Sequence, residues 1–105
     1  MELNVMERLM CQGLLPQEMN FTNLKLVRKA REALSFTEEE NRVLNFKTIG
    51  KNGEQIKWED GRVGEVEIEL GEVVTTMIVD ALKKLNDGNK LTENHFSLYK
   101  KFVRG

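Results

Sequence analysis

Apolar residues return at helical spacing over most of the chain and at strand spacing only in its middle. Leu3, Met6, Met10 and Leu14, with Val5 and Leu9 beside them, predict an amphipathic helix over residues 2–12, stopped by Gly13 and Pro16. Leu24, Val27, Ala30 and Leu34, flanked by Leu26 and Ala33, put an apolar arc on a second helix over 21–34 whose polar side is basic. Thr37-Glu38-Glu39-Glu40 sets a capping hydroxyl three residues before a carboxylate, and three carboxylates in a first turn suit the helix dipole, so a short helix runs to Leu44.

The period then drops to two. Val66, Ile68 and Leu70 alternate with Glu65, Glu67 and Glu69, the signature of a strand with one buried and one wet face. Residues 50–64 hold four of the eight glycines and the only Trp. Asn52-Gly53 suits a two-residue hairpin turn, which would set Ile49 opposite Ile56. A second reversal at 60–64 would pair Trp58 with Val66 and Ile56 with Ile68 on one face and Lys57 with Glu67 on the other. These glycines therefore read as turns: no P-loop string occurs, and a dinucleotide loop would have to follow a strand and open a helix.

After Gly71, the residues Val74, Ile78, Ala81, Leu82 and Leu85 define a helix over 72–87, stopped at Asn86-Asp87-Gly88. Thr92 caps a last helix over 93–103, with Leu91 placed to staple onto Phe96. The expected fold is α+β: N-terminal helices, a three-stranded antiparallel meander, then two C-terminal helices, as a single domain over 1–105.

Composition adds limits. With 40% hydrophobic and 31% charged residues among 105, the chain is suited to one core. Apolar runs are too short to span a membrane, and the first residues lack the pattern of a secretory signal, so a cytoplasmic protein is expected. The formal net charge is −1, with the acid concentrated in the middle third: 5 basic and 9 acidic groups over 35–71. That balance names no polyanionic partner.

Candidate chemistry is sparse. The lone Cys11 forms no internal disulfide and no zinc core; its place outside the apolar arc of its helix leaves open a partly exposed thiol, with a structural or incidental thiol the simpler reading, and His95, the only histidine, excludes sites built on several imidazoles. Glu65, Glu67 and Glu69 share a strand face, but alternate rungs stand about 6.6 Å apart, a poor reach for one ion, so a solvated face balanced by Lys57 is the simpler reading. No catalytic, cofactor or metal site is expected, and the chain reads as a non-enzyme. Basic residues lie near aromatics in two helices: Lys25, Arg28 and Lys29 within 25–31, and Lys100, Lys101 and Arg104 interleaved with Phe96, Tyr99 and Phe102. Phosphate contact with base stacking would use such a pattern, although solvated helix faces show it as well.

The run Glu7-Arg8-Leu9-Met10-Cys11-Gln12-Gly13-Leu14-Leu15-Pro16, the Asn20-Phe21 and Leu24–Arg28 stretch, Leu34-Ser35-Phe36-Thr37-Glu38-Glu39-Glu40 and the tail Lys90–Val103 resemble a group of small phage and prophage proteins. The likeness covers most of the chain outside the hairpin. It implies a phage-derived gene expressed inside a bacterium and an accessory role, with no functional motif to transfer.

The resulting expectation is a non-catalytic interaction module that binds another protein or itself. Met6 and Met10 are candidates for a homodimer contact, because the N-terminal helices carry more apolar side chains than one face of a small sheet covers. Two alternatives remain: a nucleic-acid binder using the two basic helices, and a small-ligand binder that sequesters a host metabolite or nucleotide.

Overall fold

The computed structural model describes residues 1–49, 55–58 and 63–103. Their order is β1 (Glu2–Leu3), α1 (Val5–Leu14), α2 (Phe21–Leu34), α3 (Glu38–Leu44), β2 (Lys47–Ile49), β3 (Gln55–Lys57), β4 (Val66–Glu67), α4 (Gly71–Asp87), a 3-10 turn (Glu93–His95) and α5 (Phe96–Phe102).

Local signals fix most helix starts. Asn4 and Glu7 cap α1 reciprocally: the Glu7 N–H donates to Asn4 Oδ1 at 2.8 Å and the Asn4 N–H to Glu7 Oε1 at 2.9 Å. Asn20 accepts from the Asn23 N–H at the start of α2, and the expected Thr37–Glu40 box forms at α3. Each satisfies amide groups that a helix start leaves without partners. The last helix is shorter than its pattern suggested, because its first turn is 3-10: the Thr92 N–H donates to Nδ1 of His95 at 2.9 Å. Leu91 packs against the core while Phe96 turns outward, 61% exposed.

α1 and α4 form the middle of the bundle. α2 packs on both, α5 packs on α4, and the 3-10 turn packs on α1. Leu3, Cys11, Leu15, Val27, Leu34, Ile68, Val74, Ile78, Leu82 and Leu98 make the core, and each fully buried aliphatic side chain contributes about 1.5–3 kcal/mol. α1 is covered nearly all round, with no exposed residue between Leu3 and Gln12. Cys11 is fully buried, which settles its exposure in favour of a structural thiol. A helix in the middle of a bundle has no wet side for a thiol off the apolar arc to occupy.

The α+β meander is overturned: the chain is predominantly helical, and its strands form two separate two-stranded antiparallel ladders. In one, β1 pairs with β4, Leu3 opposite Val66 and Glu2 opposite Glu67, extended by a bond from the Ile68 N–H to the Met1 carbonyl at 2.9 Å. In the other, β2 pairs with β3, setting Ile49 opposite Gln55, Thr48 opposite Ile56 and Lys47 opposite Lys57. This register differs by one residue from that of a two-residue turn; Asn52 and Gly53 lie outside the described residues.

The ladders divide because they serve different apolar clusters. Ile68 is buried in the helical core with Val66 against it, while the half-buried Trp58 stands 6.0 Å from the Phe46 ring, which meets Phe36 edge-on at 5.2 Å. Trp58 therefore does not share a sheet face with Val66 and Ile68, and Lys57 does not face Glu67. No helix among the described residues is long and apolar enough to cross a membrane.

Candidate functional site

α2 has two unlike sides. Val27, Ala30 and Leu34 face the core. Outward, Phe21 is 72% exposed, Leu24 and Leu26 are also exposed, and Lys25 Nζ lies 5.3 Å from the Phe21 ring centre. Phe21, Leu24, Lys25, Arg28, Lys29 and Glu32 line a shallow depression of about 410 Å³. Lys25, Arg28 and Lys29 are exposed and make no ion pair among the described residues. The next basic residue, Arg31, instead reaches back to the Pro16 carbonyl at 3.4 Å and fastens the link between α1 and α2.

The C-terminal basic residues separate into two environments. Lys100 is exposed, its ammonium 5.4 Å from the centre of the outward Phe96 ring. Lys101 is committed inward: its Nζ donates to the Glu2 carbonyl at 2.8 Å, Glu7 Oε1 at 2.8 Å and Glu65 Oε2 at 2.6 Å. All three ammonium hydrogens are thereby used. Arg104 lies outside the described residues. α2 packs on α1 and α4, and α5 packs on α4, so the two basic groups stand on different helices, and of the C-terminal pair Lys100 and Lys101 only Lys100 is exposed.

Two adjacent residues of α1 are charged and almost wholly buried. Glu7, 1% exposed, is the acceptor for Lys101. Burial pushes its carboxyl up, but bonds from Lys101, Ser97 and the Asn4 N–H, together with the Lys101 charge, outweigh burial and hold it below the ordinary value. Its Oε2 nevertheless has no partner in good hydrogen-bond geometry. Burial likewise pulls Lys101 down, and bonds to Glu65 and Glu7 reverse that and raise it. Arg8, 2% exposed, donates to both oxygens of Glu40 and to the Leu34 and Ser35 carbonyls, with its guanidinium 4.1 Å from the Phe36 ring centre. Neither α1 charge is free for a ligand. They brace the fold.

The strand carboxylates are apart as well: Glu65 pairs with Lys101, and Glu67 takes the amino group of Met1. No group of three or more His, Cys, Asp or Glu residues that could hold a metal ion occurs among the described residues. Cys11 is a poor nucleophile, its thiol pushed up to about 12 by burial and by the nearby Glu7 charge. Met10 packs against the core and Met6 is half-buried. The apolar surplus of α1 is thus taken up by its central position, while Phe21, Leu24 and Leu26 on α2 stay exposed.

Sequence reasoning found the basic arc of α2 but not its exposed apolar half. Phe21 and Lys25, an aromatic and a cation four residues apart in the first turns, were the available signal. No family model, curated protein or solved structure matches the chain.

Proposed function

We propose that the protein is a non-catalytic module that binds another protein through the outward face of α2. The observation that carries this reading is Phe21, 72% exposed in the first turn of α2 near exposed Leu24, with Lys25, Arg28 and Lys29 around the same depression. Aromatic and aliphatic side chains ringed by unpaired cations suit a partner that offers an apolar anchor with carboxylates about it. Two-fold contact of this face with itself would bring the three cations against their own copies, which argues for a different protein as the occupant. Nucleic acid would use the cations, yet Leu24 and Leu26 would contribute little to phosphate contact.

Affinity capture from cells expressing the tagged protein, run in parallel with Phe21→Ser/Lys25→Glu, tests the assignment. A protein retained by the unmodified chain and lost with the variant is expected, with both chains equally folded by circular dichroism. Identical capture by both would overturn the α2 site. Loss of a nucleic acid alone would transfer the site to the nucleic-acid reading, and a self-complex in sedimentation velocity that the variant abolishes would transfer it to self-association.

A further inference from the structure

The six residues that line the α2 depression fall into two rows. Phe21, Lys25 and Lys29 stand four apart along the helix, and Leu24, Arg28 and Glu32 form the neighbouring row with the same spacing. The depression of about 410 Å³ is therefore the groove between two adjacent ridges of one helix. Within proteins such a groove is filled by a ridge of a second helix, and the opposite side of α2 packs on two helices, α1 and α4. All six residues of the outward groove are exposed, so no described part of the chain fills it. Its walls change character along α2: Phe21 and Leu24 are apolar, Lys25 and Arg28 one step on are cationic, and Lys29 then faces Glu32. None of the three cations has an ion-pair partner among the described residues, although Glu32 stands four positions from Arg28 and three from Lys29.

On the basis of the α2 binding face above, we propose that the occupant of this groove is an amphipathic helix of another protein, with an apolar side chain and a carboxylate four residues apart in one row. A row on a second helix repeats every four residues, about 6 Å of rise, which is the repeat of the groove walls themselves. Its apolar member lies between Phe21 and Leu24, and its carboxylate lies one step along between Lys25 and Arg28. Each end of the groove thus receives what it lacks, apolar cover at one and negative charge at the other. An extended segment fits less well. Its side chains on one face recur at about 6.6 Å, and the main-chain hydrogen bonds that give such segments their affinity need a sheet edge, which a helix face does not offer.

The photo-crosslinking residue p-benzoylphenylalanine, placed in the tagged full chain at Thr22 or at Glu32, tests this in cells. Both positions are exposed, and neither change removes the apolar residues or the three cations. After irradiation the joined segment of the partner is sequenced by mass spectrometry and made as a peptide. A segment with apolar residues and carboxylates in rows four apart is expected, and its peptide should gain helicity on titration with the purified full chain. A proline in the middle of that row should weaken binding about a hundredfold. Arg28→Glu should weaken it about tenfold or more, and exchange of the facing carboxylate of the peptide for Arg should recover it, which separates lost charge pairing from lost fold. No cross-link at either position overturns the α2 face itself. A segment without the row, or a peptide whose binding survives the proline, overturns the helical partner and leaves the α2 face standing. Joining to a second copy of the chain or to nucleic acid gives the groove to that occupant and overturns the proposal as well.

Discussion

Arg8 and Glu40 meet as a two-pronged ion pair, at 3.0 and 3.2 Å, between the buried helix α1 and the first turn of α3. The same Glu40 carboxylate accepts from the Thr37 N–H at 2.9 Å, so one side chain both starts α3 and answers a charge in the core. Arg8→Ala should lower the unfolding free energy by about 3–5 kcal/mol, because it takes from Glu40 its cation and from the Ser35 carbonyl its guanidinium donor and leaves a cavity. Urea denaturation measures this, and a loss below about 1 kcal/mol would contradict the bracing role.

Lys101 and Glu65 make a graded pair of tests. Lys101→Met strips Glu7 of its cation inside the fold and should cost about 3 kcal/mol or more. Glu65→Gln removes a carboxylate that is 48% exposed, where solvent screening leaves a loss under about 1 kcal/mol. Equal losses on denaturation would mean that Glu7 does not need Lys101.

The pH dependence follows from the same groups. Glu7 and Glu40 are held below their ordinary value of 4.5 in the folded chain, so the stability they contribute is present above that value and is lost as pH falls through the folded values. Lys101 is raised above 10.5, so its contribution is present below 10.5 and is lost as pH climbs past the folded value. Thermal unfolding should give a plateau between these limits, with an acid limb that flattens in Glu7→Gln/Glu40→Gln. A double variant with an unchanged acid limb would assign it to other carboxylates.

Cys11 should resist a thiol reagent in the folded protein at pH 8, reacting only as fast as the fold opens. Full labelling within seconds, without denaturant, would show that the thiol is accessible.

Phe21→Ala should change stability by less than about 0.5 kcal/mol, since so exposed a ring contributes little to the fold. Its importance would then be confined to binding, and a much larger loss by denaturation would place Phe21 in the core instead.

The elements set by neighbours in sequence were legible. Thr37 and Glu40 are three residues apart and formed the box their spacing predicts, and α2 spans the helical period that Leu24 to Leu34 defined. Asn4 and Glu7 carry a similar signal, passed over because the apolar pattern drew the helix back to residue 2. What escaped was set at a distance. The alternation around Val66 marked a strand but could not say that its partner is Leu3 rather than Trp58, since period-two patterning fixes a face and not a neighbour. Nothing local reveals that α2, α4 and the 3-10 turn close over α1 and bury the charged pair Glu7 and Arg8. The lysines at 47 and 57 became cross-strand partners through a hairpin register one residue away from the expected one.

The bond between Glu7 and Lys101 spans 94 positions, and this gives the fold a timetable. At roughly 5–20 residues per second of synthesis, on the order of 5–20 s separate the emergence of the two side chains. For most of that interval α1 exists without the complete α4, and for all of it without the Lys101 ammonium that its carboxylate meets in the finished fold. The nascent N-terminal half is therefore obliged to wait in an incompletely covered form, open to chaperones, and completion of the bundle falls to the late-arriving helix that carries Lys101.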